Sequence, residues 1–225
     1  MDKGQLFGFL SAQDPSTLLD LLSEAYEEMT IDQRRAVFGG LVRELPPAPV
    51  DGETVLNRVE KFHRQSLDGY YYEPFDINSK NWMHIPEGTE EWFEEMGDLL
   101  KASCQLTAQE DHRHAVACFR ILHELIDKLR EGEEIVFGDE IGSWMIPGNE
   151  KEHVAAYMTS LAAVASPEEF AAVAIPILRR DSYQSFWTQA YASAIRAADE
   201  AQRVYLEAEI QRQNIRTKPK SQARG

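Results

Sequence analysis

Apolar residues recur at intervals of three and four along nearly the whole of this chain, and the segments that carry them open on helix-capping residues. That spacing places them on one face of an α-helix, so the chain must bury a series of amphipathic helices against one another. Asp14-Pro15 combines a capping carboxylate with proline at the first helical position, ahead of Leu18, Leu19, Leu21, Leu22 and Tyr26. Thr30 and Gln33 have capping-box spacing before Val37, Phe38, Leu41 and Val42. Prolines 46, 47 and 49 end that helix. A third helix is expected after Asp51, with Val55, Leu56, Val59, Phe62 and Leu67 as its buried stripe.

Residues 69–88 interrupt the pattern. They hold two prolines, scattered Asn and Gly, no 3.6-residue period, and Tyr70, Tyr71, Tyr72, Phe75, Trp82, Met83 and His84. An irregular segment of about 20 residues is uncommon inside a compact domain, and so many aromatic rings argue against disorder. Beyond it, Thr89 is read as the cap of a helix bearing Trp92, Met96, Leu99, Leu100 and Cys104. A second helix from about Gln109 to Arg130 carries Val116, Phe119, Leu122, Ile126 and Leu129. A break over residues 132–148 contains Ile135-Val-Phe137, a candidate extended piece. A second hairpin follows, its turn marked by Ser166-Pro-Glu-Glu169. Asp181 is read as the cap of one last, long helix reaching about Arg212 and spanning about 45 Å. Its expected inward stripe runs Tyr183, Trp187, Ala190, Ala194, Ala198, Ala201, Tyr205 and Ala208.

The reading is therefore an all-α chain of stacked helical hairpins, a short α-solenoid resembling tetratricopeptide or HEAT arrays in general architecture only, with a closed bundle as the alternative. No Trp-x-x-Leu-Gly-x-x-Tyr signature ties it to a family. The organisation expected is an N-terminal helical unit over residues 1–68, the aromatic loop at 69–88, helical hairpins plus the final helix at 89–215, and a basic tail at 216–225.

Charge narrows the function. The chain has 225 residues, 43% of them hydrophobic, and 38 Asp plus Glu against 23 Lys plus Arg, a formal net charge of −15. Duplex binding needs the opposite sign, so nucleic acid is not expected as a partner. No apolar run reaches the ~20 residues that span a bilayer, and no signal-peptide pattern opens the chain. Its two cysteines, Cys104 and Cys118, are too few for a disulfide framework. A cytoplasmic protein that needs no membrane is the expectation.

Three constellations could carry chemistry. Glu60-x-x-His63 and Glu150-x-x-His153 each put a carboxylate and an imidazole on one helix face, as carboxylate-bridged metal bundles do; Glu94, Glu95, Glu110 or Glu124 would have to complete the set. His112 and His114 point about 200° apart on a helix and cannot share an ion; His114 and Cys118 are correctly spaced as a pair only. His123 and Asp127, four apart, suit a hydrogen-bonded pair. No nucleophile elbow, phosphate loop or dinucleotide fingerprint occurs. The expectation is thus a non-enzymatic interaction module without metal or cofactor, binding a protein or peptide through Tyr70, Tyr71, Tyr72, Trp82 and His84. A metal-dependent helical-bundle enzyme is the alternative. The acidic loop 131–140 and the basic tail read as solvated segments, and oligomeric state has no sequence signal.

Overall fold

The computed structural model of the chain describes residues 2–30, 33–34, 36–37, 48–76, 78–79, 81, 84–138, 141–180 and 184–215. Every regular element among them is a helix, which makes the fold all-α. The chain divides into two compact units, Met1–Ala48 and Pro49–Gly225.

The first unit holds α1 (Lys3–Leu10) and α2 (Pro15–Glu28). Asp14 caps α2, accepting hydrogen bonds from the backbone N–H groups of Ser16 and Thr17 and from both hydroxyls. These bonds hold its carboxyl well below the usual range. The capping box at Thr30 forms as its spacing predicts. The Thr30 N–H donates to Gln33 Oε1 at 2.9 Å, and residues 33, 34, 36 and 37 are helical. Most of the stripe expected to follow, including Phe38, Leu41 and Val42, lies outside the described residues.

The second unit begins with α3 (Gly52–Leu67), which the sequence grouped with the helices before it. Its stripe of Val55, Val59 and Phe62 packs instead on α4 (Glu87–Ala108) and α5 (His112–Glu131). Leu67, expected on that stripe, is exposed because the buried face ends at Ser66. Helix α4 starts earlier than its sequence suggests. Pro86 occupies the cap position, and Thr89 turns inward, donating its hydroxyl to Phe137 O at 2.7 Å and accepting from Phe137 N at 3.2 Å. Thr89 thereby pins residues 135–137 to the helix. Ile135 and Val136 are buried there in a bend rather than an extended strand.

Helix α5 is central, packing on α3, α4 and α6 (Glu150–Val164). It buries Val116, Phe119, Leu122, His123, Ile126 and Leu129, with each large apolar side chain contributing about 1.5–3 kcal/mol. Asp111 caps it, and Gly132 closes it through N–H bonds from Gly132 and Glu133 back to Leu129 and Lys128. Cys118 and Cys104 lie on this hairpin, and burial pushes both thiols up to about 11.

Helix α6 turns into α7 (Pro167–Arg179) through the capping box expected at Ser166 and Glu169. The single long terminal helix is, in contrast, two: α8 (Gln184–Ala197) and α9 (Glu200–Arg212). Asp199 and Gln202 form a capping box of their own, which stops the first helix and starts the second. The break changes the inward face. Ala190, Ala194 and Ala198 are buried as expected, but beyond the break Gln202, Leu206 and Ile210 are buried and Ala201, Tyr205 and Ala208 exposed. Helix α8 packs on α6 and α9 on α7, an arrangement a straight rod could not reach. Gln202 secures the turn by donating to the carbonyls of Ala162 and Ala165. Asp181 and Tyr183, the expected cap and first inward residue, lie outside the described residues.

Candidate functional site

The aromatic loop is ordered by the end of α3. Gly69 adopts φ +75°, a conformation open chiefly to glycine, and the Tyr70 N–H returns to Gln65 O at 3.0 Å. This reversal sends two consecutive tyrosines in opposite directions. Tyr71 is buried between α3 and α4, 5.6 Å from the Phe62 ring, which in turn lies 5.7 Å from Trp92. Trp92 Nε1 donates to Ser66 Oγ at 2.9 Å, so this aromatic wedge has its polar tip satisfied. Tyr70 is 61% exposed and stands edge-on to Tyr71 at 4.9 Å.

The rest of the loop folds back onto the unit. Glu73 accepts from the Gly88 N–H in the first turn of α4, where a carboxylate complements the free N–H groups. Tyr72 and Phe75 pack against Phe137 at 5.7 and 5.2 Å, and the exposed His84 lies 5.2 Å from Phe75. Of the residues singled out for partner binding, Tyr70 and His84 are exposed, Tyr72 is half-buried and Tyr71 belongs to the core. Trp82 lies outside the described residues.

Tyr70 borders a cleft of about 370 Å³ between α3 and α4. Its floor is Phe62 and Tyr71, and its walls carry Glu91, Glu94, Glu95 and Asp98 facing Arg58 and Lys61. Arg58 Nη2 is spent on Glu95 at 2.9 Å. Four carboxylates against two cations leave the walls acidic. Desolvation, and then Glu95 and Glu91, push the Tyr71 hydroxyl up to about 12, keeping it neutral. The cleft therefore offers one aromatic ring and an excess of carboxylates, the elements that receive a cation. From sequence, Glu94 and Glu95 read only as ligands to complete a metal set, although their spacing along α4 with Glu91 is the signal that aligns them beside Tyr70.

The other candidates separate in space. His63 Nε2 lies 3.4 Å from Glu124 across α3 and α5, whereas Glu150 and His153 belong to the first turn of α6. His112 Nδ1 meets Ser160 Oγ at 3.2 Å, while His114 turns to Asp111 at 2.9 Å and Glu53 at 3.6 Å. Cys118 is buried, whereas His114 is half-buried. Among the described residues no three His, Cys, Asp or Glu side chains gather in a way that could hold a metal ion.

The expected His123–Asp127 pair does not form. Asp127 instead accepts two bonds from Arg180, from Nε at 2.8 Å and Nη2 at 3.0 Å, across 53 positions of sequence. His123 points inward among Phe119 and Tyr157, with both ring nitrogens buried and unpartnered. Arg180 wins because a guanidinium matches a carboxylate in a two-pronged, charge-assisted contact that a neutral imidazole cannot equal. No helix of the described residues is long and apolar enough to cross a membrane. No protein family, curated protein or solved structure matches the chain.

Proposed function

We propose that this chain is a non-enzymatic helical interaction module that receives a basic segment of a protein partner in the cleft between α3 and α4. The observation that carries the reading is the exposed Tyr70 ring beside Glu91, Glu94, Glu95 and Asp98 on a surface supported by buried Tyr71 and Trp92. A partner lysine or arginine stacked on Tyr70 gains about 0.5–2 kcal/mol from the ring and further attraction from the carboxylates. The aromatic floor adds apolar contact for the side-chain stem. The chain's net charge of −15 draws a basic segment toward the site from a distance. Tyr72, Phe75 and His84 serve by holding the loop in place through Phe137, which keeps the tyrosine rim rigid before the partner arrives.

The test is a selection from a random displayed peptide library, followed by calorimetry with the enriched peptides. Lysine- or arginine-bearing peptides are expected, with affinity falling about ten-fold in Tyr70→Ala and in Glu91→Gln/Glu94→Gln. Enrichment of acidic or purely apolar peptides, or equal binding by the variants, would overturn the reading.

A further inference from the structure

A second cavity lies among α4, α5 and α6, closed by the segment joining α5 to α6. Residues 142–148 form a strap whose middle, Ser143–Met145, is a single 3₁₀ turn. The strap is held close to the helices at two glycines. A Cβ on Gly97 of α4 would meet Pro147 at 3.0 Å, and one on Gly148 would meet the His153 ring at 2.9 Å. Gly148 also adopts φ +104°, so the strap's last turn requires glycine on two counts.

Beneath the strap is a space of about 150 Å³. Leu100, Ile126, Ile146 and Val154 make its apolar walls, and exposed Trp144 stands at its mouth. Three buried polar side chains from three different elements line it: His123 of α5, His153 of α6 and Arg180 after α7, of which His123 and Arg180 also border the neighbouring cleft that holds Asp127. Ser143 of the strap adds a hydroxyl. His123 is only 6% exposed and neither of its nitrogens has a hydrogen-bond partner, a state that costs about 1–3 kcal/mol for each orphaned group. Native interiors rarely leave such a ring idle.

Charge selects what belongs there. The chain is strongly acidic, yet the ionisable groups buried at this cavity are one guanidinium and two imidazoles. Asp127, which neutralises Arg180, reaches it from the neighbouring cleft and does not line this space. It occupies Nε and Nη2, leaving the Nη1 edge of the fork outside the pair. The one carboxylate of this lining, Glu150, is exposed. The interior thus presents the open edge of a paired guanidinium and two imidazoles that burial keeps neutral, each able to donate one hydrogen bond, set among aliphatic walls.

We propose that this cavity binds a small organic acid, its carboxylate directed at Arg180, His123, His153 and Ser143 and its short apolar body against Leu100, Ile126 and Ile146. The volume admits on the order of five to ten non-hydrogen atoms, which excludes nucleotides and peptides. The aliphatic walls favour a carbon-bearing acid over an inorganic anion, whose whole surface would demand polar partners. The site is independent of the acidic cleft, which lies across α4 and takes the opposite charge.

Acetate, isovalerate and benzoate, each beside its uncharged amide, are the probes, and calorimetry with backbone-amide NMR of the full chain is the readout. At least one acid is expected to bind one-to-one, about ten-fold or more tightly than its amide, with shifts at Ser143, Gly148 and His153. Arg180→Lys is expected to abolish the difference between acid and amide. Ser143→Ala, on the partly exposed strap, is expected to weaken the acid several-fold while the melting temperature stays unchanged. Amides binding as well as acids, or no acid binding at about 10 mM, would overturn the proposal. The acid–amide comparison on the unaltered protein decides it even if Arg180→Lys fails to fold.

Discussion

The cleft beside Tyr70 and the cavity beneath the 142–148 strap are built from one set of helices, yet they handle charge in opposite ways. In the cleft, carboxylates sit at the surface on one face of α4, where water carries much of their cost. In the cavity, Arg180 and two histidines lie in the interior, where each must find a partner or stay neutral. Surface charge can accordingly be changed at the cleft with little effect on the fold, whereas the cavity's polar groups are coupled to the packing of α5, α6 and α7. A site for a mobile partner and a site fixed within the core need these two different foundations.

The comparison breaks most sharply at Asp127. Removing it in Asp127→Ala leaves the guanidinium of Arg180, 4% exposed, without a counter-charge. The expected loss is about 3 kcal/mol, read from urea denaturation, with Asp127's own partial exposure keeping it at the low end for a broken pair. A change below about 1 kcal/mol would show that Arg180 finds solvent or another acceptor instead.

Acid sharpens the contrast next. His123 is pushed well below its ordinary value by desolvation, with smaller contributions from Arg180 and His153, and burial lowers His153 as well. In the unfolded chain both titrate near about 6.5, so the unfolded state binds more protons as pH falls through that value. Stability is therefore full above about pH 6.5 and declines below it, at about 1.4 kcal/mol per pH unit for His123. Urea midpoints collected between about pH 7.5 and 5.5 measure the slope. His123→Phe, which cannot titrate, should flatten it; an unchanged slope in that variant would place the acid sensitivity elsewhere.

The smallest expected effect falls at the cleft. Tyr70→Ala should alter stability by no more than about 0.5 kcal/mol, since most of the ring is in water. A loss comparable to that of a core aromatic, measured by the same denaturation, would make Tyr70 a packing residue and undercut its role as a rim.

Helix capping was the most legible part of this molecule. Asp14, Asp51 and Ser166 cap the helices that their spacing marks, because a cap needs only residues within one turn. Asp199 and Gln202 carry the same local signal, but the continuous alanine stripe of residues 190–208 masks it, and two helices read as one. Thr89 failed for a different reason: its hydroxyl was claimed by Phe137, a contact across 48 positions. The candidate sites follow the same division. The aromatic run announces a loop that must be anchored, but not that Gly69 turns Tyr70 outward and Tyr71 inward. Arg180 ends α7 beside Arg179 and looks like ordinary solvated charge at a helix terminus. Only the tertiary fold brings it to Asp127 and buries it.

The two cysteines have a practical bearing. With both thiols raised to about 11, roughly one in ten thousand is ionised at neutral pH, and only the thiolate reacts with electrophiles. The native thiols are thus expected to label slowly, Cys118 because it is also buried and Cys104 although it is partly exposed. A fluorophore attached through Tyr70→Cys, at an exposed position, is expected to load faster than either native thiol and to report chiefly from the cleft.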